Sequence, residues 1–165
     1  MPNQPAFLRV LVAHEMAHAF HFHMLREAGF QFSQLAWDGY TSLYLEGLAT
    51  FVSKLLNPGF SEGVYFTFDD TGDDWVSFCK ENYAGIKVRL NADLQHWSMK
   101  EVEWFRLRGG KTYGLDRVGY FVGTEFISSC VESMGISETI MLWGKQDIKP
   151  VIQQWMGDGS VPFGA

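Results

Sequence analysis

The sequence predicts a mainly α fold in a single domain, on three observations. At 165 residues the chain has the length of one domain and can bury about two thirds of its unfolded surface. Hydrophobic residues make up 47% of the chain and charged residues only 19%, which is typical of a globular protein with a large core. Long apolar segments without Pro or Gly, above all residues 7–25, are typical of helices.

The first helix is predicted for residues 6–28 and stops at Gly29. It is apolar almost all round, which is typical of a helix buried in the interior of a domain. A second helix is predicted for residues 41–56, because an Asn-Pro-Gly stop follows it directly. Gly47 and Ala49 are small, so we expect this second helix to approach the first one closely.

The remaining elements follow from similar patterns. Residues 63–68 are rich in residues that favour strands and predict a short strand. Further helices are predicted for residues 74–94, 98–107, 116–134, 137–143 and 148–155. We expect Gly85 to bend or break the first of these. Gly119 and Gly123 lie four residues apart, so another helix can pack closely against that surface.

Charge and cysteine content limit the function. The net charge is −6 and no basic patch occurs, which argues against binding of nucleic acid. No run of 18 uncharged apolar residues occurs, and Arg9 interrupts the first helix, so we expect no membrane span. Cys79 and Cys130 fit no metal or redox motif and are expected to be buried, reduced thiols. The compartment stays open, with the cytoplasm favoured, and nothing indicates an oligomeric state.

A metal-binding motif lies inside the first helix. It reads His14-Glu15-Met16-Ala17-His18. Residues i and i+4 share one helix face, so both histidines can bind one ion. Glu15 lies beside them, where it can take a proton from a metal-bound water. This is the H-E-x-x-H zinc signature.

A catalytic zinc site needs a third protein ligand and one open position. His21 shares the face of His14, but seven residues of helix rise about 10 Å, too far for both to bind one ion. His23 points elsewhere, and we expect both to bond to carbonyl groups or water. Glu46 is the better candidate, because it is a single carboxylate in an apolar helix. Coordination would remove the high cost of burying that charge.

Together these motifs resemble the gluzincin class of zinc metallopeptidases. More narrowly, they resemble an uncharacterised bacterial group of predicted zinc-dependent proteases. That group has a Glu-Gly-Leu-Ala motif, present here from Glu46, and a later Gly-Tyr-x-x-Gly motif, present here from Gly119 to Gly123. The three motifs span residues 14–123, most of the chain.

The resemblance implies a zincin-like helical domain that hydrolyses peptide bonds in peptide or protein substrates with Zn²⁺. It implies that Tyr120 stabilises the oxyanion, with a core tyrosine as the alternative and Tyr113 in reserve. Arg117 either binds a substrate carboxylate or pairs with an acid on the surface. Thr50, one turn after Glu46, is the nearest candidate to hydrogen-bond a ligand histidine. Some gluzincins have an acid at that position.

Gluzincins normally have a twisted sheet before the zinc-binding helix, and this chain has no room for one before residue 6. We therefore expect residues 1–165 to be the helical part of a longer catalytic domain or the product of a truncated gene, unless a strand at residues 64–68 substitutes for the sheet. A second hypothesis is a catalytically weak or inactive zinc-binding module that binds a peptide or protein partner. A third is a helical structural protein without metal.

Overall fold

The fold is mainly α, as predicted, in a computed structural model that describes residues 4–35, 37–69, 71–96, 101–106 and 110–162. No strand occurs among these residues. The helices are α1 (Gln4–Glu27), α2 (Gly39–Leu56), α3 (Val64–Thr67), α4 (Asp73–Glu81), α5 (Tyr83–Leu94), α6 (Glu101–Phe105), α7 (Val118–Met134), α8 (Ile136–Lys145) and α9 (Ile148–Asp158). None of the described helices combines the length and the apolar character that a membrane span requires.

The central helix of the fold is α2, which packs against α1 and α7. It begins two residues earlier than predicted, because Asp38 caps it and accepts a hydrogen bond of 3.0 Å from the backbone N–H of Thr41. It ends at Leu56, as predicted. Most of its residues are buried, so α2 is the element around which the core is built.

Glycines let α2 and α7 pack with their backbones in contact. A Cβ atom on Gly47 would lie 2.3 Å from the carbonyl carbon of Gly123, and a Cβ atom on Gly123 would lie 2.4 Å from the Leu43 carbonyl oxygen. The close packing predicted at Gly123 is therefore confirmed. The partner predicted for Gly47 is wrong, because it faces α7 and not α1.

The prediction that α1 is buried all round is also wrong. Its buried face includes Val10, His14 and Leu25. A second face exposes four large apolar side chains, each by at least half of its surface: Leu8, Val12, Met16 and Phe20. The apolar pattern predicts the helix but cannot tell how many of its faces have a partner.

The strand predicted for residues 63–68 is wrong. Residues 64–67 form the single-turn helix α3, which buries Val64, Tyr65 and Phe66 in succession. Strand residues alternate between two faces, so three consecutive buried side chains suit a helical turn in a pocket of the core better. Phe68 then ends the turn with a positive φ of 60°.

The helix predicted for residues 74–94 is broken at Asn82, not at Gly85. Asn82 ends α4, and its side-chain amide donates a hydrogen bond of 2.9 Å to the Phe78 carbonyl. The backbone N–H of Asn82 bonds to the same carbonyl at 3.0 Å, and a side chain that bonds to the local backbone in this way is typical of a helix end. Gly85 stays helical within α5.

Other predicted elements agree in type with small differences in their bounds. The helix predicted for residues 98–107 is described only over 101–106, and its predicted first turn lies outside the described residues. The helix predicted from residue 116 begins at Val118, because Arg117 is in the left-handed conformation. Cys79 and Cys130 are buried free thiols, as predicted, and burial raises the pKa of each to about 12.

Candidate metal centre

Helix α1 places His14 and His18 side by side on one face, one turn apart. Their ring centroids lie 4.9 Å apart with the ring planes nearly perpendicular. His14 is almost completely buried, and about a fifth of the His18 side chain is exposed. The pair therefore has one closed side and one side that opens to solvent.

Glu46 on α2 completes a three-residue group with these histidines. Its Oε2 atom lies 3.1 Å from Nε2 of His14 and 3.5 Å from Nε2 of His18. One ligand atom from each residue lies within 4.8 Å of the others, so His14, His18 and Glu46 could together hold a metal ion. The structure thus brings together the three residues that the sequence predicts as ligands.

The spacing of these atoms suits a small divalent ion. Ligand atoms bound at 2.0–2.1 Å to a tetrahedral zinc ion lie roughly 3.3 Å from one another. The two distances from the Glu46 oxygen to the histidine nitrogens are close to that value. Two imidazoles and one carboxylate are also a donor set that catalytic zinc sites use.

The charge state of Glu46 also fits metal binding. Burial by itself would raise the pKa of this carboxyl, but the hydrogen bonds to His14 and His18 outweigh it and lower the pKa to about 2. Glu46 is therefore ionised at neutral pH, which is the form that binds a metal ion.

Glu15 lies on the open side of the group. It is exposed, and it lines the same groove as His18 and Glu46. The groove has a volume of about 490 Å³, within the ordinary range of ligand-binding clefts. A carboxylate beside the ligands in an open groove can reach a water molecule bound there.

Tyr120 on α7 lies next to the three-residue group. Its ring is stacked on that of His14, with centroids 5.7 Å apart and planes within 3° of parallel. Burial raises the pKa of Tyr120, and the nearby Glu46 carboxylate raises it further. The hydroxyl therefore keeps its proton and can act as a hydrogen-bond donor.

Arg117 is buried and therefore not on the surface, but it lies close enough to Asp69 for its charge to lower the pKa of that carboxyl. Its guanidinium donates a hydrogen bond of 3.1 Å to the Thr67 carbonyl and lies 5.0 Å from the centre of the Phe68 ring. It is not among the residues that line the groove. Arg117 thus joins the start of α7 to the end of α3, and its role in substrate binding stays a prediction.

The hydrogen bond predicted from Thr50 to a ligand histidine is not formed among the described residues. The Thr50 hydroxyl is fully buried and has no partner there, and Nδ1 of His14 has none either. Histidine ligands usually donate this second N–H to an acceptor, which fixes the ring. The ring of His14 is held here by the contact of its Nε2 with Glu46 and by packing against the rings of His18, Phe68 and Tyr120.

His21 and His23 lie outside the three-residue group. His23 is exposed, whereas His21 is buried against the rings of Phe22, Tyr44 and Trp143. The Ile140 carbonyl lies close to His21, yet neither ring nitrogen makes a hydrogen bond of normal geometry to a described residue. His21 is therefore not a ligand, and it is an uncharged residue of the core.

His21 should make the stability of the protein depend on pH. Burial lowers its pKa to about 4, against about 6.5 in the unfolded chain. Between these values the unfolded state binds more protons, so stability falls as pH falls, by on the order of 3 kcal/mol from this residue. The free energy of unfolding, measured with urea at several pH values, tests this prediction.

We expect His21→Leu to make the free energy of unfolding nearly independent of pH in this range, and His23→Leu to leave its pH dependence unchanged. The same pH dependence in both variants would contradict the assignment to His21.

Several residues of the groove were not predicted from the sequence, among them Arg106, which follows α6 and lines the groove together with Glu15 and Glu46. Nothing in the local sequence distinguishes Arg106 from an ordinary exposed arginine.

Comparisons of the chain with protein-family models, curated proteins and solved structures find no match. Fold and site therefore define a mainly α protein with a candidate metal centre between its first two helices.

Proposed function

We propose that this protein is a gluzincin-like zinc metallopeptidase that hydrolyses peptide bonds. The observation that carries the proposal is the convergence of His14, His18 and Glu46 beside an open groove that also contains Glu15. Two imidazoles and a carboxylate leave a fourth coordination position open, which a catalytic zinc site requires. Bound zinc would lower the pKa of a water molecule and polarise the scissile carbonyl group.

Each residue then has a defined task. Glu15 takes a proton from the attacking water and delivers it to the leaving amine as the carbon–nitrogen bond breaks. Tyr120 donates its O–H to the oxyanion that develops on the carbonyl oxygen. Its raised pKa keeps that proton in place at neutral pH. The stacked ring of His14 fixes the distance between Tyr120 and the ligands.

Zinc binding tests the first step of this proposal. We expect one equivalent of zinc per chain, measured by competition with a chromophoric chelator. His18→Ala removes a ligand, so affinity should fall by more than the roughly 10- to 100-fold typical of losing an outer hydrogen bond. His23→Ala is the matched control, because His23 lies on the same helix, is exposed and is outside the group. Zinc well below one equivalent, or equal losses in both variants, would contradict the metal site.

A second candidate function is a zinc-binding module with weak or no catalysis that binds a peptide or protein partner. Nδ1 of His14 has no partner among the residues that the structure describes, and this favours the module, since a ligand ring without a second hydrogen bond is oriented less strongly. Incubation of the zinc-loaded protein with a broad peptide library separates the two candidates. Cleavage supports the peptidase, and zinc binding without any cleavage supports the module.

A further inference from the structure

One positively charged side chain, that of Arg106, lines the groove beside the candidate metal centre and has no role in the chemistry proposed above. Among the described residues that line it, Arg106 carries the one permanent positive charge. A guanidinium has five N–H donors, so Arg106 can bind a ligand in addition to its protein contacts.

Close packing of α6 on α7 places Arg106 near the metal centre. A Cβ atom on Gly119 would lie 2.5 Å from the ring of Phe105, so only glycine lets α6 approach this closely. Phe105 then packs against Tyr120, with ring centroids 6.3 Å apart. Arg106 is the next residue; it lines the groove and lies close enough to Tyr120 for its charge to act on that hydroxyl, and Tyr120 in turn stacks on His14.

The other side of the groove is aromatic. Phe22 follows His18 by one helical turn, and its ring lies 6.2 Å from that of Trp37. Trp37 is 59% exposed but is held in place, because its ring packs edge-on against Trp143 at 5.0 Å and its N–H donates to the Phe32 carbonyl. A fixed and exposed indole is a ready surface for an apolar side chain.

The order of these groups along the groove defines a substrate class. Arg106 lies near Tyr120, whereas Phe22 lies one helical turn beyond His18 and Trp37 lies beside Phe22. We propose, resting on the peptidase function above, that the groove takes peptides with a free C-terminal carboxylate. Arg106 binds that carboxylate, and the Phe22–Trp37 surface holds an apolar side chain on the residue whose carbonyl is attacked. A guanidinium is suited to this task, since it binds a carboxylate through two parallel hydrogen bonds.

Peptide binding to a catalytically silent protein tests this assignment without relying on turnover. The protein is the zinc-loaded Glu15→Gln variant of residues 1–165, titrated by calorimetry with N-acetyl-phenylalanyl-glycyl-alanine and with the same peptide as its C-terminal amide. We expect the acid to bind roughly tenfold more tightly than the amide, because a charge-assisted hydrogen bond is lost in the amide. Replacing the phenylalanyl residue by alanyl should weaken binding of the acid by about tenfold, through the loss of aromatic contact.

In the Glu15→Gln protein, a further Arg106→Gln substitution should remove the preference for the peptide acid over its amide. Arg106→Lys should retain part of that preference. Arg26→Gln is the matched control, because Arg26 is exposed on α1 about 12 Å of helix beyond His18. Equal binding of acid and amide, a preference that survives Arg106→Gln, or no binding of either peptide would overturn the assignment. Cleavage of both peptides at equal rates by the native sequence would overturn it while the peptidase stands. If the peptide acid binds better than the amide through Arg106 but the native sequence cleaves neither peptide, the role of Arg106 is supported and only the peptidase function is contradicted.

Discussion

Replacing Glu15 by Gln is expected to reduce the rate of peptide cleavage by about 1,000-fold while zinc stays bound. The substitution removes the proton acceptor and changes neither histidine, and a positioned general base is worth about 100- to 10,000-fold. Glu15 is exposed in the groove, so the change creates no cavity and leaves no buried group unpaired. Initial rates on a peptide that the native sequence cleaves, together with the zinc content of both proteins, measure the effect.

Glu27→Gln is the control for this experiment. Glu27 lies on the same helix, is exposed, and belongs to the last turn of α1, so the same chemical change there should leave the rate within about twofold. If Glu15→Gln cleaves as fast as the native sequence with zinc bound, another residue is the base. If Glu15→Gln loses its zinc, the loss of activity reflects loss of the metal and not loss of the proton acceptor.

Replacing Gly47 by Ala is expected to cause a large loss of stability. The new methyl carbon would lie 2.3 Å from the carbonyl carbon and oxygen of Gly123, and backbone cannot rotate away as a side chain can. Overpacking of a core costs about 1–3 kcal/mol even when side chains adjust, so we expect at least about 3 kcal/mol here. For a chain of this length that corresponds to a fall in Tm of about 10 °C, measured by thermal unfolding.

Gly85→Ala is the matched control for this substitution. Gly85 is also a helical glycine, but it is exposed on α5 and a Cβ atom there meets nothing within 4 Å. Alanine favours the helix over glycine by about 0.5–1 kcal/mol, so this variant should be more stable than the native sequence. Opposite signs for the two substitutions support the close crossing of α2 and α7, and a tolerated Gly47→Ala would contradict it.

The sequence predicted the candidate ligands because each one belongs to a recognisable pattern of neighbouring residues. His14 and His18 are four residues apart on a helix, a spacing that by itself puts them on one face. Glu46 stood out as a single acid in an apolar helix, where an unpaired charge would be costly. Tyr120 came from the resemblance alone, and its ring lies on His14.

What the sequence could not predict depends on which surfaces meet. Small residues beside Glu46 indicated a close approach, yet nothing local distinguishes α1 from α7 as the partner of Gly47. Arg117 looked exposed, but a left-handed backbone at that residue accompanies a side chain directed into the protein. Arg106 lines the groove next to Phe105, whose ring packs where a Cβ atom on Gly119 would lie. These outcomes are fixed by contacts between residues far apart in the chain, which periodicity and propensity do not encode.

The crossing of α2 and α7 also constrains how this protein can diverge. Glu46 is the direct neighbour of Gly47, so any shift of α2 that makes room for a larger residue at the crossing also displaces the carboxylate. Over evolutionary time, positions 47 and 123 should therefore change together or remain glycine. Homologues with larger residues at positions 47 and 123 are expected to lack the glutamate at position 46 as well.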